Sequence, residues 1–454
     1  MTDRTTSWPD RLADLAREHG IVGASLAVLH RDEIVVEAAA GVTNLATGVE
    51  VTTETLFQIG SITKVWVATM VMALVDEGVL DLDAPVVSVL PELRLKTDEL
   101  TAGVTIRHLL THTSGIDGDL FVDTGRGDDC LEKYVALLAD AAVVHPLGAT
   151  MSYCNAGFVL LGRVLEVVTG VQWDELMRER LFRPLGLTHT VTLPEEALLF
   201  RTAVGHESQH GKALKVVPRW GPMRSTGPAG LICSTPREVL AFAKLHLDGG
   251  TTAEGVKILS PESAAAMQRR QIELPGRYGA TGWGLGWMLD EWDGTPVVGH
   301  NGATIGQNAF LSILPEHGLA ICLVTNGGDV HAFRGAVFGE IAGELAGVTM
   351  KAAPMPAAEP LPFDPADFVG VYEKAGDRIE IGDNEGVLSA VFTATGELAD
   401  LSPEPEICEM RPLGPDAFVI QWPGESDWTP MTFYHLPDGT PYLYCAVRSI
   451  PKVG

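Results

Sequence analysis

Two hydrophobic patterns follow each other along the first 350 residues, and their order restricts the fold more than any other feature of the sequence. Alternating apolar and polar positions at residues 24–29 and 34–39 predict a hairpin, and strand patterns return at residues 284–289, 296–300, 309–314 and 319–325. Between them, residues 61–250 show helical periodicity in runs bounded by glycine or proline. Because strands open and close a unit with a helical middle, we expect an α+β fold in which one antiparallel sheet is flanked by helices and joined to an all-helical lobe.

A proline-rich stretch, residues 351–366, separates this unit from the rest of the sequence. Five prolines fall between residues 351 and 365 without hydrophobic periodicity, which is typical of a linker. Short strand patterns separated by turns then follow, and the last of them covers residues 442–450. We therefore predict two domains of unequal size, residues 1–350 and residues 367–454, of which the second is a small all-β barrel.

The charge balance and the cysteine pattern exclude several classes of function. The sequence carries 59 acidic and 32 basic residues, a formal charge of −27, so we expect no nucleic-acid or membrane-surface partner. No apolar run approaches the roughly 18 residues of a membrane span, and the first residues lack the pattern of a secretory signal. Six scattered cysteines without a C-x-x-C pair indicate reduced thiols. These features predict a cytoplasmic protein that holds no metal and no other cofactor.

Two histidine pairs have a spacing found in zinc sites. His108 and His112 lie four residues apart in a helical stretch, and His206 and His210 share that spacing in a polar loop. The residues between His108 and His112 include no glutamate and no third ligand is evident, and the second pair lies in a polar loop, so we expect no metal at either place.

The segment Ser61-Ile62-Thr63-Lys64 is the first candidate for chemistry. It follows Gly60 and opens a helical run, and residues three apart on a helix share a face, so the Lys64 amine can reach the Ser61 hydroxyl. Lysine acts as a base toward serine only if burial lowers the lysine pKa from its usual value toward neutrality. A second Ser-x-x-Lys, at residues 449–452, contains Pro451, which forbids the helix that would align the pair.

Two further segments complete a candidate site. Tyr153-Cys154-Asn155 precedes a helix; its phenol can relay protons, and the Asn155 amide can bind an acyl substrate and hold Lys64. His300-Asn301-Gly302-Ala303 is placed at the end of a predicted strand, where Gly302 lets substrate lie against the backbone. The backbone N–H groups of Ser61 and Ala303 are the predicted oxyanion hole.

In the order Ser-x-x-Lys, Tyr-x-Asn, His-x-Gly, these motifs resemble the serine β-lactamase and penicillin-binding-protein superfamily. The resemblance is to its class C β-lactamase-like branch of esterases, D-peptidases and penicillin-binding-protein-type thioesterases. Segments at residues 105–115, 184–187, 228–231 and 284–287 extend it over residues 20 to about 346. The resemblance implies that Ser61 is the acylated nucleophile, Lys64 its base, Tyr153 a second proton carrier and Asn155 a partner of the substrate and of Lys64. The C-terminal domain resembles the lipocalin-like domain of some D-peptidases and peptide-cyclising thioesterases.

Two positions bear on the substrate. His300 stands where true β-lactamases have lysine, and histidine carries less positive charge near neutral pH, which disfavours substrates captured through a carboxylate and favours esters or peptides. On one face of the strand predicted for residues 442–450, Arg448 is expected to contact an anionic or carbonyl part of the substrate.

The sequence thus predicts a serine hydrolase or acyltransferase that forms an acyl-enzyme. Its expected substrate is a D-residue-containing peptide or a peptidyl thioester or ester, free or bound to a carrier protein, and a peptide-cyclising thioesterase is included in this prediction. One alternative is a β-lactamase-like carboxylesterase acting on small esters. Another is a catalytically silent binding module on the same fold.

Overall fold

The computed structural model describes residues 7–208, 213–359, 361–396, 399, 404–423 and 426–454. Its helices are α1 Trp8–Glu18, α2 Thr63–Asp76, α3 Asp98–Gly103, α4 Ile106–Leu110, α5 Cys130–Leu137, α6 Asn155–Thr169, α7 Trp173–Met177, α8 Pro194–Ala197, α9 Gly227–Gly230, α10 Pro236–Leu247, α11 Pro261–Met267 and α12 Val330–Ala346. Short 3-10 turns also occur, and the one that matters here is Gly60–Ile62, directly before α2.

The strands of the larger part are β1 Gly23–His30, β2 Glu33–Gly41, β3 Phe57–Gln58, β4 His206–Glu207, β5 Lys215–Val216, β6 Cys233–Ser234, β7 Ile272–Glu273, β8 Gly282–Trp283, β9 Met288–Trp292, β10 Thr295–Thr304, β11 Gln307–Leu314 and β12 Leu319–Thr325. Those of the C-terminal part are β13 Gly370–Lys374, β14 Asp377–Asn384, β15 Val387–Ala394, β16 Glu406–Glu409, β17 Arg411–Gly414, β18 Ala417–Ile420, β19 Thr429–His435, β20 Pro441–Cys445 and β21 Arg448–Pro451.

One antiparallel sheet in the described residues joins the start and the end of the larger part, which confirms the predicted α+β fold. Its strand order is β2-β1-β12-β11-β10-β9-β8-β7, with Ala24 opposite Thr325 and His30 opposite Leu319. Strand β1 is buried on both faces because its residues alternate between two cores. Ala24, Leu26 and Val28 pack with α1 and α12, whereas Ala27 and Leu29 pack with α2 and the helical lobe.

Helix α2 is the central helix of the larger part. Its residues from Thr63 to Leu74 are all buried, so it is apolar around its whole circumference rather than on one stripe. The preceding 3-10 turn holds Ser61, which places the serine one turn before the regular helix and Lys64 within the first turn of that helix.

Where the structure describes the C-terminal part, its regular elements are strands apart from the 3-10 turn Pro365–Asp367, which confirms a small all-β unit. A four-stranded sheet, β13-β14-β15-β16, and a five-stranded sheet, β17 to β21, share one hydrophobic core. An isolated bridge between Tyr372 and Lys452 joins the two sheets at one edge.

The single strand predicted for residues 442–450 is wrong, because the chain reverses within it. Strands β20 and β21 form a hairpin whose two-residue turn is Ala446 (φ 46°) and Val447 (φ 60°). Hairpin turns of this size favour positive φ, which asparagine and glycine adopt readily and valine does not, so the turn has no signal in the sequence.

One pair of helices in the described residues is a candidate membrane span by length and composition. No single helix there is both long and apolar enough, and only Asn155–Thr169 together with Trp173–Phe182, bent by 79°, reaches the length and composition required.

Candidate active site

Ser61 and Lys64 lie side by side, as the helical spacing predicts. The Lys64 Nζ is 3.0 Å from the Ser61 Oγ and donates a hydrogen bond of 2.6 Å to the backbone carbonyl of Ala229 in α9. The Lys64 side chain has no exposed surface. Burial, together with the positive charge of Arg448, lowers the pKa of Lys64 well below its ordinary value. The arrangement therefore favours a neutral amine beside the serine hydroxyl, the form that can accept a proton.

The backbone around Ser61 is in close contact with strand β10. A Cβ atom on Gly60 would lie 2.7 Å from the Ala303 nitrogen, and one on Gly302 would lie 1.9 Å from the Ile59 oxygen and 3.0 Å from the Ser61 nitrogen. Neither position has room for a side chain, and Gly60 also has a φ of +51°. The two glycines thus bring together the segments that carry the predicted oxyanion donors, Ser61 and Ala303.

Tyr153 faces this pair. Its ring centroid is 4.8 Å from the Lys64 Nζ, and its buried hydroxyl has no hydrogen-bond partner within the described part of the chain. Burial raises the pKa of Tyr153 above its usual value, although the neighbouring Ser61 hydroxyl acts in the opposite direction. The phenol therefore keeps its proton at neutral pH and is placed to donate it.

Asn155 has a different partner from the predicted one. Its Nδ2 donates to Asp119 Oδ1 at 2.7 Å, whereas the Lys64 amine bonds to Ser61 and Ala229. The expected bond between Asn155 and Lys64 is thus not among these contacts, in which the Lys64 amine donates to the Ala229 carbonyl and the Asn155 amide nitrogen donates to Asp119. Asn155 still lines the cavity beside Ser61.

Asp119 is the residue that sequence reasoning missed. Besides Asn155, it receives Arg448 Nε at 2.6 Å, Arg448 Nη2 at 3.1 Å and Lys374 Nζ at 2.8 Å. Although burial alone would raise its pKa, the charges of Arg448 and Lys374 hold the pKa of Asp119 well below its usual range. Arg448 and Lys374 belong to the C-terminal part, 329 and 255 residues further along the chain, so no local pattern pairs them with Asp119.

The β20–β21 hairpin brings the C-terminal part into the site. The Tyr153 backbone N–H donates to the Val447 carbonyl at 2.9 Å, and the Arg448 guanidinium carbon lies 5.4 Å from the centroid of the Tyr153 ring. Arg448 and Val447 both line the cavity that contains Ser61. Arg448 therefore reaches the predicted place, but its guanidinium is already paired with a carboxylate.

His300 lies inside strand β10, which continues to Thr304, and not at a strand end as predicted. Its Nδ1 contacts the Asn301 carbonyl at 2.6 Å, and its buried Nε2 lacks a partner among the described residues. Burial and the nearby Lys64 lower the pKa of His300 to about 3. The histidine of the third motif is thus uncharged at neutral pH.

The other histidines weighed for metal binding are occupied elsewhere. His108 Nδ1 accepts from the Thr105 backbone N–H at the start of α4, and the Leu45 N–H donates to His206 Nε2. His112 Nδ1 accepts from the Cys154 N–H. His210 lies outside the described residues.

A cavity of about 1020 Å³ opens over Ser61. Its wall contains the polar residues Ser61, Tyr153, Asn155 and His300, the apolar side chains Phe121, Trp220, Met223 and Ile305, the carboxylates Asp123, Glu207, Glu404 and Glu406, and the guanidinium groups of Arg219 and Arg448. A cavity of this size can hold several residues of a peptide, and its chemistry suits a mostly apolar acyl group without negative charge.

The fold and this arrangement define a serine hydrolase of the β-lactamase and penicillin-binding-protein type. The profile of the family described as Beta-lactamase matches residues 9–343, and the chain belongs to this family. Penicillin-binding protein 4 of Amycolatopsis lactamdurans is 46% identical over 372 residues, which are 81% of this chain and 97% of that protein.

Two solved structures share the fold. The crystal structure of SurE with D-Leu superposes with a TM-score of 0.74 at 26% identity and covers 98% of each chain. D-amino acid amidase from Ochrobactrum anthropi SV3, complexed with D-phenylalanine, gives a TM-score of 0.59 at 26% identity over 70% of this chain and 91% of the amidase. The likeness to SurE extends through the C-terminal part, whereas the amidase aligns with less of the chain.

Proposed function

We propose that the protein is a serine acyltransferase or hydrolase acting on a D-residue-containing peptide or on a peptidyl ester or thioester. The observation that carries this proposal is the buried Lys64 amine 3.0 Å from the Ser61 Oγ. A neutral lysine in that position can take the serine proton, which turns a weak nucleophile into an effective one.

The first half-reaction follows from these positions. The Ser61 Oγ attacks the acyl carbonyl while its proton passes to Lys64, and the backbone N–H groups of Ser61 and Ala303 stabilise the resulting oxyanion. The leaving alcohol, thiol or amine departs with a proton donated by Tyr153, whose phenol stays protonated at neutral pH. Lys64 then returns the proton to Tyr153, and the acyl group remains on Ser61 as an ester.

The second half-reaction depends on the acceptor. Water gives hydrolysis, and an amine of the same peptide gives a cyclic product and frees Ser61. The cavity supports the cyclising reaction because it is large enough to hold both ends of a short peptide.

The charges of the residues around Ser61 favour acyl donors that have no carboxylate next to the reacting bond. The third motif supplies a neutral His300, and the guanidinium of Arg448 is paired with Asp119. The cavity wall carries four carboxylates against the two guanidinium groups of Arg219 and Arg448, so negative groups outnumber positive ones there. A free peptide carboxylate is thus poorly matched to this site, whereas an ester, thioester or amide carries no such charge.

The D-configuration is proposed from the relatives. The SurE structure contains D-Leu, and the amidase is named for D-amino acids and contains D-phenylalanine. We extend this preference to the acyl residue that Ser61 would carry.

A substrate panel tests the proposal. Peptidyl thioesters ending in a D-residue or its L-epimer, a D-amino acid amide and a short-chain nitrophenyl ester would be compared by kcat/KM, with Ser61→Ala as control. We expect an acyl adduct on Ser61 by intact mass and faster turnover of the D-terminal thioester than of its epimer. Turnover retained in Ser61→Ala would overturn the mechanism, and equal rates for both epimers would remove the stereochemical part.

The neutral His300 also favours a second candidate, a carboxylesterase for small esters. This alternative predicts that the nitrophenyl ester outruns every peptide donor in the panel. A silent binding module predicts no mass increase on Ser61 with any acylating probe.

A further inference from the structure

We propose that His112 is a positioning residue for Tyr153: its imidazole and its backbone carbonyl fix the phenol in the orientation needed for proton transfer. This inference rests on the proposed acyl-transfer function, because it concerns the proton carrier of that reaction. It begins from the Tyr153 hydroxyl, which is buried beside the Ser61 hydroxyl. Because both hydroxyls take part in the proposed reaction, neither is a fixed anchor for the phenol ring, so the packing of the ring must hold it.

His112 contacts the tyrosine segment on three sides. Its carbonyl accepts the Ser152 N–H at 3.0 Å, and its Nδ1 accepts the Cys154 N–H at 2.9 Å, so both neighbours of Tyr153 are bonded to one residue. Its ring also stacks on the Tyr153 ring, with centroids 4.3 Å apart and planes 30° apart. The backbone on either side and the ring itself are thereby held together.

The remaining contacts of the phenol are less restrictive. The Trp283 ring meets Tyr153 edge-on at 5.8 Å, and the Lys64 amine lies 4.8 Å from its centroid. On the C-terminal side the Val447 carbonyl binds the backbone N–H, which leaves the side-chain torsions free. Of the rings that contact Tyr153 in the described residues, His112 stacks on its face, whereas Trp283 is edge-on and His300 is tilted by 50°.

The chemical state of His112 is compatible with a fixed role. Since Nδ1 accepts a hydrogen bond from a backbone N–H, the ring proton lies on Nε2 and the imidazole is neutral. Burial and the charges of Lys64, His300 and Arg448 lower the pKa of His112 well below its ordinary value. The titratable groups that face it are Lys64 and His300 from the larger part and Arg448 from the C-terminal part. The hydrogen bond from the Cys154 N–H to His112 Nδ1 therefore persists at neutral pH.

The backbone of His112 shows that its placement is costly. Its φ is +56°, in the left-handed region that asparagine and glycine tolerate and that histidine adopts less often. Strained backbone that persists at a site indicates that the surrounding contacts fix it there. The same strain provides a control, because asparagine accepts this φ and its Oδ1 can replace Nδ1 as the acceptor for Cys154.

The test uses three variants of the full chain. His112→Asn keeps the acceptor and tolerates the backbone but removes the stacked ring, His112→Phe keeps a ring and removes the acceptor, and Tyr153→Phe removes the phenol hydroxyl. We expect His112→Asn to lower kcat by about 10- to 100-fold while KM changes by less than about twofold, because a misplaced proton carrier affects the reaction step and not ground-state binding. His112→Phe should recover part of that loss wherever it remains folded, as judged by its melting temperature.

The double variant His112→Asn with Tyr153→Phe decides the question. If His112 acts through the phenol, its substitution costs little further kcat once the hydroxyl is gone. Multiplying losses, or a loss in His112→Asn that appears only in KM or in melting temperature, would overturn the positioning role while Ser61 still acylates. Failure of the proposed function has another signature, namely turnover that survives Ser61→Ala.

Discussion

Residues 61–64 and residues 449–452 share the Ser-x-x-Lys pattern, but their backbones have different conformations. The first begins in a 3-10 turn and continues into a helix, and its serine and lysine side chains lie 3.0 Å apart. The second lies along strand β21, where Ser449 Oγ donates to the Met151 carbonyl at 2.7 Å and the Lys452 amine lies 5.8 Å from the Tyr372 ring. Residues three apart share a helix face and point to opposite faces of a strand, so the backbone decides which pair can react.

The second region nevertheless serves the first. The Ser449 N–H donates to Ser152 Oγ at 3.2 Å, and the preceding Arg448 binds Asp119, so strand β21 is attached to the loop that carries Tyr153. One copy of the pattern is proposed to perform chemistry, and the other secures the segment on which the proton carrier sits.

The largest expected effect comes from Ser61→Ala. Removing the nucleophile should lower kcat by at least about 10⁴-fold and leave the melting temperature close to that of the natural chain. The matched control is Ser449→Ala, which should keep kcat within about threefold. Loss of turnover in the control but not in Ser61→Ala would reverse the roles given to the two regions.

Lys64→Met comes next, with an expected loss in kcat/KM of about 10²- to 10⁴-fold. In the natural chain kcat/KM should fall as the pH falls through the Lys64 pKa, because protonation removes the base, and this acid limb should be absent in the variant. The pKa of His300 is about 3, so His300 cannot cause a limb above pH 5.

The same Lys64→Met variant should also melt at a higher temperature than the natural chain. A lysine with a lowered folded-state pKa is protonated mainly in the unfolded chain, so it favours unfolding at neutral pH. Calorimetry at pH 7 measures this effect, and a lower melting temperature would contradict the buried neutral amine.

Asp119→Asn tests the attachment between the two regions. It leaves Arg448 and Lys374 without their buried counter-charge, and removing one partner of such a pair costs about 3–5 kcal/mol of unfolding free energy. The folded-state pKa of Asp119 is depressed, so the stabilisation by its carboxylate in the natural chain is present above the usual aspartate pKa. That stabilisation is lost only as the pH falls further, through the folded-state pKa.

Asp377→Asn is the matched control for Asp119→Asn, since Asp377 contacts the same Lys374 amine at 2.7 Å but is 45% exposed. For this control, denaturant unfolding should show a loss of less than about 1 kcal/mol in unfolding free energy. Equal losses in the two variants would mean that the Asp119 network is no stronger than a surface ion pair.

The smallest effects belong to the second region itself. Ser449→Ala removes the hydroxyl that donates to the Met151 carbonyl and leaves the Tyr434 hydroxyl with Thr150 alone, which should cost about 1–3 kcal/mol of unfolding free energy. Lys452→Ala removes only a distant contact with the Tyr372 ring and should cost about 0.5 kcal/mol. If Lys452→Ala lowered kcat instead, the lysine of the second pattern would have a function that its strand position does not suggest.

The sequence predicted what depends on local periodicity. Alternation predicted the antiparallel sheet that joins both ends of the larger part and the all-β C-terminal part, and helical spacing predicted the short distance between the Ser61 and Lys64 side chains. Each occurs in the structure. That residues 449–452 do not form a helix followed from Pro451 alone, and the structure has a strand there.

Contacts between distant parts of the chain were beyond such reasoning. Asn155 was assigned to the substrate and to Lys64 from its amide chemistry and from the family resemblance, whereas its amide nitrogen donates to Asp119, which also binds Arg448. The carbonyl of Ala229 holds Lys64 through backbone atoms that every residue possesses, so no residue type could reveal it. The reversal at Ala446 and Val447 was missed because neither residue favours a positive φ.

That two-residue turn carries a compromise between stability and precision. Glycine at residue 446 or 447 would relieve backbone strain of about 1–2 kcal/mol, but it would also widen the range of conformations open to the hairpin tip. The position of the Val447 carbonyl, which accepts a hydrogen bond from the Tyr153 N–H, would then vary more. The strained turn restricts the position of the Val447 carbonyl. A glycine substitution that raises the melting temperature is therefore expected to lower kcat, so selection for heat resistance at these two residues should reduce activity.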